Sequence, residues 1–125
     1  MLKDFDLVPT LPAGDLERAK RFYEEKLGLT PESEDPSGVH YRTGSTRFDL
    51  YPTQFAGVAQ HTLGGWDVQD LEGVMSRLRD RGVVFEEYDF PGLKTENGIA
   101  TLGPERAAWF KDSEGNILAL AERGA

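Results

Sequence analysis

Two stretches of the chain carry apolar residues at the spacing of an amphipathic helix. An aspartate precedes each stretch, Asp15 the first and Asp70 the second, and its carboxylate is placed to accept hydrogen bonds from the N–H groups of the first turn. Gly28 and Gly82 follow the two stretches, where a helix commonly ends. The apolar positions are Leu16, Ala19, Tyr23 and Leu27 in the first stretch and Leu71, Val74, Met75 and Leu78 in the second. The pattern predicts two helices, each with one buried face.

Around each predicted helix the apolar residues recur at every second position, which is typical of strands. The predicted strands are residues 5–11 before the first helix, 30–34, 38–43 and 46–51 after it, 61–68 before the second helix, and 83–88, 106–111 and 117–122 after it. Residues 89–104, which contain Pro91-Gly92 and Asn97-Gly98, are predicted to form a loop of the length that functional lids have. The order strand, helix, three strands occurs twice. It predicts one α+β domain over residues 1–125, with modules at 1–52 and 61–125 and a linker at 53–60.

Alternation along the strands predicts which side chains are buried, because successive residues of a strand face opposite sides of a sheet. The set expected in the core is apolar throughout: Leu7, Pro9, Leu11, Phe48, Leu50, Trp66, Val68, Leu118 and Leu120. The opposite set is Asp6, Val8, Thr10, Arg47, Asp49, Tyr51, His61, Leu63, Gly65, Asp67, Ile117, Ala119 and Ala121. Its mixture of polar and apolar groups suits the wall of a small-molecule pocket.

Composition narrows the classes of function. The chain has 14 lysines and arginines against 22 aspartates and glutamates, a net charge of −8, and therefore no basic face for nucleic acid. It lacks both a basic amphipathic helix and an apolar run near the ~18–20 residues that span a membrane. Its first residues are acidic and do not form a secretory signal, so we expect a cytoplasmic location. The absence of cysteine excludes a disulfide framework, a thiolate metal site and a cysteine nucleophile.

Three groups of residues are similar to sequence motifs of a known protein family. They are Asp15-Leu16-Glu17-Arg18-Ala19 with Phe22-Tyr23 and Leu27-Gly28-Leu29, Val68-Gln69-Asp70-Leu71 with Arg81-Gly82-Val83-Val84-Phe85, and the segment from Trp109 to Leu118, WFKDSEGNIL. With these residues the chain resembles the vicinal oxygen chelate superfamily, which includes glyoxalase I, extradiol dioxygenases and the bleomycin- and fosfomycin-resistance proteins. The resemblance implies two βαβββ modules that form one cupped mixed β-sheet with the helices on its convex side. It also implies a homodimer with a small-molecule cleft.

Metal enzymes of this family hold a divalent ion with four ligands, one on the first and one on the fourth strand of each module. The corresponding residues here are Val8, Asp49, Leu63 and Ala119, and only the aspartate can donate an electron pair. We therefore expect no metal site and no other cofactor. One alternative stays open: a bulge at Gly64-Gly65 would move His61 toward the ligand position and give a weak two-ligand site with Asp49.

Six residues are candidates for ligand binding because they lie on the predicted open face: Arg47, Asp49, Tyr51, His61, Leu63 and Asp67. Two of them, Arg47 and Asp49, could instead pair with each other. His61 and Asp6 hold equivalent places in the two modules, and a pair between them would make the imidazole a general base. We expect His40 to be a surface residue of a strand, and Trp66 and Trp109 to pack in the core.

Three functions follow from these residues and the resemblance. The first is a binding protein of the bleomycin-resistance type with a degenerate metal site, which takes a small organic ligand, cationic or aromatic, in its cleft. The second is a metal-free enzyme, an isomerase or lyase, that uses His61 with Asp6. The third is a metal-dependent enzyme of the glyoxalase or dioxygenase type with displaced ligands. Whether the protein is an enzyme stays open at this point.

Overall fold

The computed structural model describes residues 1–124, and its first half contains four strands and one α-helix. After a short 3-10 helix at Leu2–Asp4, the elements are β1 (Thr10–Ala13), α1 (Leu16–Arg21), β2 (Pro31–Asp35), β3 (Gly38–Thr43) and β4 (Thr46–Pro52). A π-helical segment, Phe22–Lys26, continues α1. The strands form one sheet in the order β1-β4-β3-β2, in which β1 and β4 run parallel and the other pairs antiparallel.

The second half repeats this plan with a larger sheet. Its elements are β5 (Thr62–Asp67), α2 (Leu71–Asp80), β6 (Asp89–Phe90), β7 (Leu93–Glu96), β8 (Ile99–Leu102), β9 (Glu105–Lys111) and β10 (Ile117–Arg123). The strand order is β5-β10-β9-β8-β7-β6, and the first and last strands, β5 and β10, again run parallel. The α+β class is confirmed, but the strands form two hydrogen-bonded sheets instead of one continuous cupped sheet. The division into modules at 1–52 and 61–125 stays a prediction, and its last residue, Ala125, lies outside the described residues.

Both helices begin where the capping aspartates predict. The Asp15 carboxylate accepts a hydrogen bond from the N–H of Arg18, and the Asp70 carboxylate accepts one from the N–H of Gly73. Each capped end presents its N–H groups to a negative charge, which also favours the helix dipole. No helix within residues 1–124 has the length and apolar character needed to cross a membrane.

The N-terminal residues do not join the sheet, so the expected strand at 5–11 is wrong over most of its length. Strand β1 begins only at Thr10 and includes Leu11, because Pro9 has no N–H to donate to a neighbouring strand; its carbonyl oxygen still accepts from the N–H of Asp49 at 3.0 Å. The segment before Pro9 leaves the sheet, and Leu7, expected in the core, is 93% exposed.

The predicted loop at 89–104 is largely strand. Asn97 and Gly98 have φ angles of 54° and 82°, and they form the two-residue turn that joins β7 to β8. Two consecutive residues of positive φ match the twist of a tight hairpin, and the Asn-Gly pair is the strongest sequence signal for one. The strand expected at 83–88 is reduced to a single bridge between Phe85 and Phe110.

One apolar core runs through both halves and is joined by aromatic contacts. The Phe48 ring lies with its centroid 6.4 Å from that of Trp66, and the Trp66 ring stacks 6.4 Å from Phe110. The core face is confirmed for Leu11, Phe48, Leu50, Leu118 and Leu120, which are buried, while Trp66 and Val68 are partly buried against them. Trp66 therefore packs as expected, between side chains of the two sheets.

Candidate functional site

The face of the first sheet that points away from the core carries a histidine between two carboxylates. His40 of β3 lies directly opposite Asp49 of β4, and its Nδ1 donates to the Asp49 carboxylate at 2.7 Å. The other ring nitrogen, Nε2, donates to the Asp35 carboxylate at 2.8 Å. Because ionised carboxylates only accept hydrogen bonds, both contacts form at once when the imidazole is protonated. His40, expected to be an ordinary surface residue of a strand, is thus the centre of a cluster that the sequence pattern does not reveal.

The cluster changes the ionisation of its members. Hydrogen bonds from the Ser37 hydroxyl and from His40, together with the Ser37 N–H, lower the pKa of Asp35 to about 2. The hydrogen bonds to Asp49 and then to Asp35 raise the pKa of His40 above its ordinary value. Asp49 is bound to His40, and the ion pair between Arg47 and Asp49, one of two alternatives in the sequence analysis, is not formed. This correction follows from the register, since His40 is the direct cross-strand neighbour of Asp49.

We expect the stability of the protein to fall as the pH rises above about 6.5, the ordinary pKa of histidine, because the folded state holds the proton on His40 more tightly than the unfolded state does. The contribution is complete below that pH and disappears as the pH passes the raised pKa of the folded protein. Urea unfolding of the His40→Gln variant between pH 6 and pH 9 should lack this part of the pH dependence. The other histidine provides the matched control: His61→Gln should keep the wild-type profile, and an unchanged profile in His40→Gln would contradict the prediction.

The corresponding face of the second sheet carries a cluster of aromatic rings. Trp109 of β9 contacts Tyr88 edge to face, with ring centroids 5.6 Å apart, and Phe90 stacks on Tyr88 at 5.6 Å. The Trp109 indole N–H donates to the Thr62 hydroxyl at 3.2 Å. Trp109 was expected in the core, and this is wrong. The alternation along β9 could have shown it, because Ala108 and Phe110 on either side are buried.

The aromatic rings border a cavity of about 380 Å³, which we call the aromatic cavity. Its lining residues are Gln60, His61, Thr62, Tyr88, Phe90, Leu93, Trp109 and Ile117. Burial, and then the charge of Glu86, raise the pKa of Tyr88, so its hydroxyl stays protonated near neutral pH. The Thr95 hydroxyl and the Gly98 N–H lower the pKa of Glu87, which stays ionised next to Tyr88 in the chain. Apart from His61 the lining is aromatic, aliphatic or neutral polar, and Glu86 is the acidic side chain whose charge acts on Tyr88.

A bulge in β5 decides which residues face this cavity. Ile117 pairs with Thr62 and Leu118 with Gly64, so Leu63 is an extra residue in the strand. Leu63 packs against the core, and Thr62 lines the cavity in its place. The assignment of Leu63 to the open face was therefore wrong. A bulge at Gly64-Gly65 that would move His61 toward Asp49 was left open as an alternative. The bulge that forms is at Leu63; it brings Thr62 into the cavity wall and leaves His61 exposed beyond the end of the strand.

The remaining sequence candidates lie apart from one another. Asp6 is exposed in the N-terminal segment, and within residues 1–124 no ion pair joins it to His61, whose Nδ1 donates to the carbonyl oxygen of Thr62 at 3.1 Å. The possible pair is not formed because neither residue lies in a strand: the first sheet begins at Thr10, and His61 precedes β5, which begins at Thr62. Tyr51 is exposed on β4. The Asp67 carboxylate lies 3.8 Å from Nη1 of Arg123.

The four positions that the resemblance assigns to metal ligands carry few groups that can bind a metal ion. Val8 and Ala119 have no lone pair, Leu63 has turned to the core, and the Asp49 carboxylate already accepts from His40. In the part of the chain that the structure describes, no three histidine, aspartate or glutamate side chains are arranged to hold a metal ion. A metal needs converging donors, and here a single carboxylate is available at the four positions.

In each of the two sheets, the first and the last strand in chain order pair in parallel, and this arrangement defines the class of fold. Comparison with known proteins identifies the family. The family model described as Glyoxalase/Bleomycin resistance protein/Dioxygenase superfamily matches residues 7–120. The chain belongs to this superfamily, the vicinal oxygen chelate proteins. No relative was found among curated protein sequences.

Solved structures with this fold are similar along nearly the whole chain. A glyoxalase family protein from Enterococcus faecalis is 21% identical with a TM-score of 0.72, and the match covers 98% of this chain and 100% of the other. A lactoylglutathione lyase from Agrobacterium tumefaciens is 17% identical with a TM-score of 0.68, covering 98% and 96%. The fosfomycin resistance protein FosX from Listeria monocytogenes is 12% identical with a TM-score of 0.68, covering 94% and 92%. At these identities the similarity shows the fold alone.

Proposed function

We propose that this protein binds a small, planar, cationic organic molecule in the aromatic cavity of its second sheet and does so without a metal ion. The observation that carries the proposal is the cluster of Trp109, Tyr88 and Phe90 on the face opposite the core. An aromatic side chain that is not needed in the core and stands beside a cavity offers its ring face to a ligand. Phe90 is 57% exposed, which leaves much of its ring free for such a contact.

The size of the cavity supports a small ligand. Its volume of about 380 Å³ lies near the lower end of the ~300–1,000 Å³ typical of small-molecule sites. Ile117 and Leu93 provide an apolar floor, while Gln60 and the Thr62 hydroxyl provide polar contacts at the edge. Such a wall suits a planar bicyclic molecule with few polar groups.

Charge favours a cation over an anion. The segment that supplies Tyr88 and Phe90 also carries Glu86, Glu87 and Asp89, and the chain as a whole has a net charge of −8. An indole face attracts a cation through its quadrupole, and the negative charge of this segment adds a longer-range attraction. Lys111 offsets part of this charge, since its ammonium lies 3.6 Å from the Glu86 carboxylate.

The proposed ligand-binding residues differ from those expected from the sequence, and the expectation of a degenerate metal site is retained. His61 stays in the set because it lines the aromatic cavity, whereas Asp49 and Leu63 are engaged elsewhere. A metal-free enzyme that uses His61 stays a prediction, now without the help of Asp6. A homodimer and a cytoplasmic location also stay predictions.

We expect 1-methylquinolinium, a planar bicyclic cation, to bind the wild-type protein in a calorimetric titration, and 2-naphthoate, an anion of similar shape, to bind the aromatic cavity much more weakly. Trp109→Ala should weaken binding of the cation by roughly 10- to 30-fold, because the indole supplies both stacking area and cation–π attraction. The dissociation constants of the variant and the wild type give the comparison.

Two exposed phenylalanines provide a matched control. Phe90→Ala removes a ring from the cavity and should weaken binding, while Phe55→Ala removes a ring that is 67% exposed and outside the cavity and should leave the affinity unchanged. No binding of the cation at millimolar concentration, or equal affinity in all the variants, would rule out the proposed site.

A further inference from the structure

A cavity of about 310 Å³ lies where the C-terminal ends of the two helical segments meet, and we call it the junction cavity. The first helical segment ends at Lys26 and the second at Asp80. The junction cavity is lined by Leu27, Gly28, Val74, Arg77, Leu78 and Arg81. It shares no lining residue with the aromatic cavity, so the two are separate places on the molecule.

Helical spacing brings two arginines to this cavity. Val74, Arg77, Leu78 and Arg81 recur at the i, i+3, i+4 and i+7 positions of α2 and its C-terminal cap, which form one stripe along a helix. Val74 and Leu78 pack against the apolar core, whereas the two arginines are exposed. The arginines therefore stand at the outer edge of the junction cavity, beside its apolar wall.

Two glycines locate the charged groups at the junction itself. Nη1 of Arg81 lies 2.9 Å from the point where a Cβ on Gly28 would stand, and Nζ of Lys26 lies 2.9 Å from the corresponding point at Gly82. Each cation therefore lies over the glycine beyond the end of the other helical segment. Arg81 reaches the first half of the chain and Lys26 reaches the second, so both charges stand between the helix ends.

The cations at the junction lack counter-ions. Within residues 1–124, no carboxylate oxygen lies within 4 Å of a side-chain nitrogen of Lys26, Arg77 or Arg81. Glu25 and Asp80, their acidic neighbours in the chain, do not line the cavity. The negative ends of the two helix dipoles offset roughly one of the three positive charges, which leaves an excess of about two. In a chain with a net charge of −8, the junction is a local site for an anion.

An apolar space adjoins the basic junction. The three apolar side chains of the junction cavity also line a neighbouring cavity of about 220 Å³, which extends to Trp66 and Phe110 on the core face of the second sheet. Asp67, an acidic residue of that lining, lies beside Arg123. A ligand at the junction can therefore place a charged group among the cations and an apolar group on the three shared side chains.

From this arrangement we infer that the junction binds a small phosphate monoester, with the phosphate among Lys26, Arg77 and Arg81 and the apolar group on Leu27 and Leu78. A monoester phosphate carries close to two negative charges at neutral pH and three strong acceptor oxygens. That charge matches the excess at the junction, and a guanidinium binds two phosphate oxygens through parallel hydrogen bonds. The inference is independent of the proposed function, which concerns the aromatic cavity and a ligand of opposite charge.

Calorimetric titration of the whole chain with phenyl phosphate near neutral pH tests the site. We expect saturable binding of phenyl phosphate. Inorganic phosphate, which lacks the apolar group, and phenol, which lacks the charge, should each bind at least about tenfold more weakly. Trp109→Ala should leave the affinity for phenyl phosphate unchanged, because Trp109 lines the other cavity. Equal affinity for phenyl phosphate and either of the two smaller compounds would overturn the inference.

Three arginine variants locate the binding site on the molecule. Arg77→Gln and Arg81→Gln should each weaken binding of phenyl phosphate at least about tenfold. Arg21→Gln removes the same charge from an exposed position of α1 outside the cavity, and it should change the affinity less than about twofold. A cooperative melting transition shows that each variant is folded. No saturable binding by the wild type, equal affinity in the three arginine variants, or weakened binding in Trp109→Ala would overturn the inference.

Discussion

Replacing Asp112 with alanine is expected to lower the free energy of unfolding by about 3–4 kcal/mol, since several buried donors would lose their acceptor at once. The Asp112 carboxylate is buried in the turn between β9 and β10. One oxygen accepts from the N–H groups of Glu114 and Asn116 at 2.8 and 3.0 Å. The other accepts from the Tyr23 hydroxyl at 2.5 Å and from the Asn116 side-chain amide at 2.9 Å. Urea unfolding measured at neutral pH gives the loss directly.

The size of this effect reflects the place of Asp112 between the two halves of the fold. Tyr23 belongs to the π-helical segment after α1, and the Asn116 amide also donates to the carbonyl oxygen of Pro12 in β1 at 2.8 Å. Burial, and then the charge of Asp112, raise the pKa of the Tyr23 hydroxyl, so it remains a donor at all ordinary pH values. The turn thereby ties the second sheet to the helix and the edge strand of the first.

Graded variants separate the hydrogen bonds from other effects of the substitution. Tyr23→Phe removes one donor and should cost about 1 kcal/mol, whereas Asp80→Asn, at the exposed end of α2, should stay within about 0.5 kcal/mol of the wild type. If Asp112→Ala cost no more than Tyr23→Phe, the carboxylate would not be the centre of this network.

Replacing Glu114 with alanine is expected to cost about 2–3 kcal/mol of unfolding free energy, because it removes the acceptor of several charge-assisted hydrogen bonds. The Glu114 side chain is fully buried and accepts from Arg18 Nε at 2.8 Å, Arg18 Nη2 at 2.9 Å and the N–H of Asp15 at 2.8 Å. The Ser113 hydroxyl donates to it as well, at 2.7 Å. The cost is below that of Asp112→Ala, because Arg18 is half exposed and water can solvate it.

The pH dependence of stability provides an independent measurement of the same interaction. Burial raises the pKa of Glu114, but the hydrogen bonds from Arg18, Ser113 and the Asp15 N–H outweigh it and lower the pKa to about 2. A lowered pKa means that the stabilisation is present above about pH 4.5 and is lost as the pH falls toward 2. Glu114→Gln should therefore show a weaker loss of stability in acid than the wild type. If both proteins lost the same free energy of unfolding as the pH falls from about 4.5 toward 2, this assignment would be contradicted.

Local signals in the sequence predicted the parts of the fold that depend on neighbouring residues. Asp15 and Asp70 cap the helices as expected, and the strands at residues 38–43, 46–51 and 117–122 were placed within a residue or two. The Asn97-Gly98 pair falls in the predicted loop instead of a predicted hairpin, because the short strands on either side, β7 and β8, lack a clear apolar alternation. Propensity and periodicity act over a few residues, so they specify where a helix or strand lies better than which strand it pairs with.

The sequence by itself determined the α+β class, the two capped helices, the apolar core face and the resemblance that the family model bears out. Only the tertiary structure decided the register of the strands, and the candidate sites depend on that register. It placed His40 opposite Asp49, turned Leu63 inward at the bulge and set Trp109 beside Tyr88. These contacts join residues that are far apart in the chain or depend on one inserted residue, and the pattern of a single strand contains no information about its partner strand.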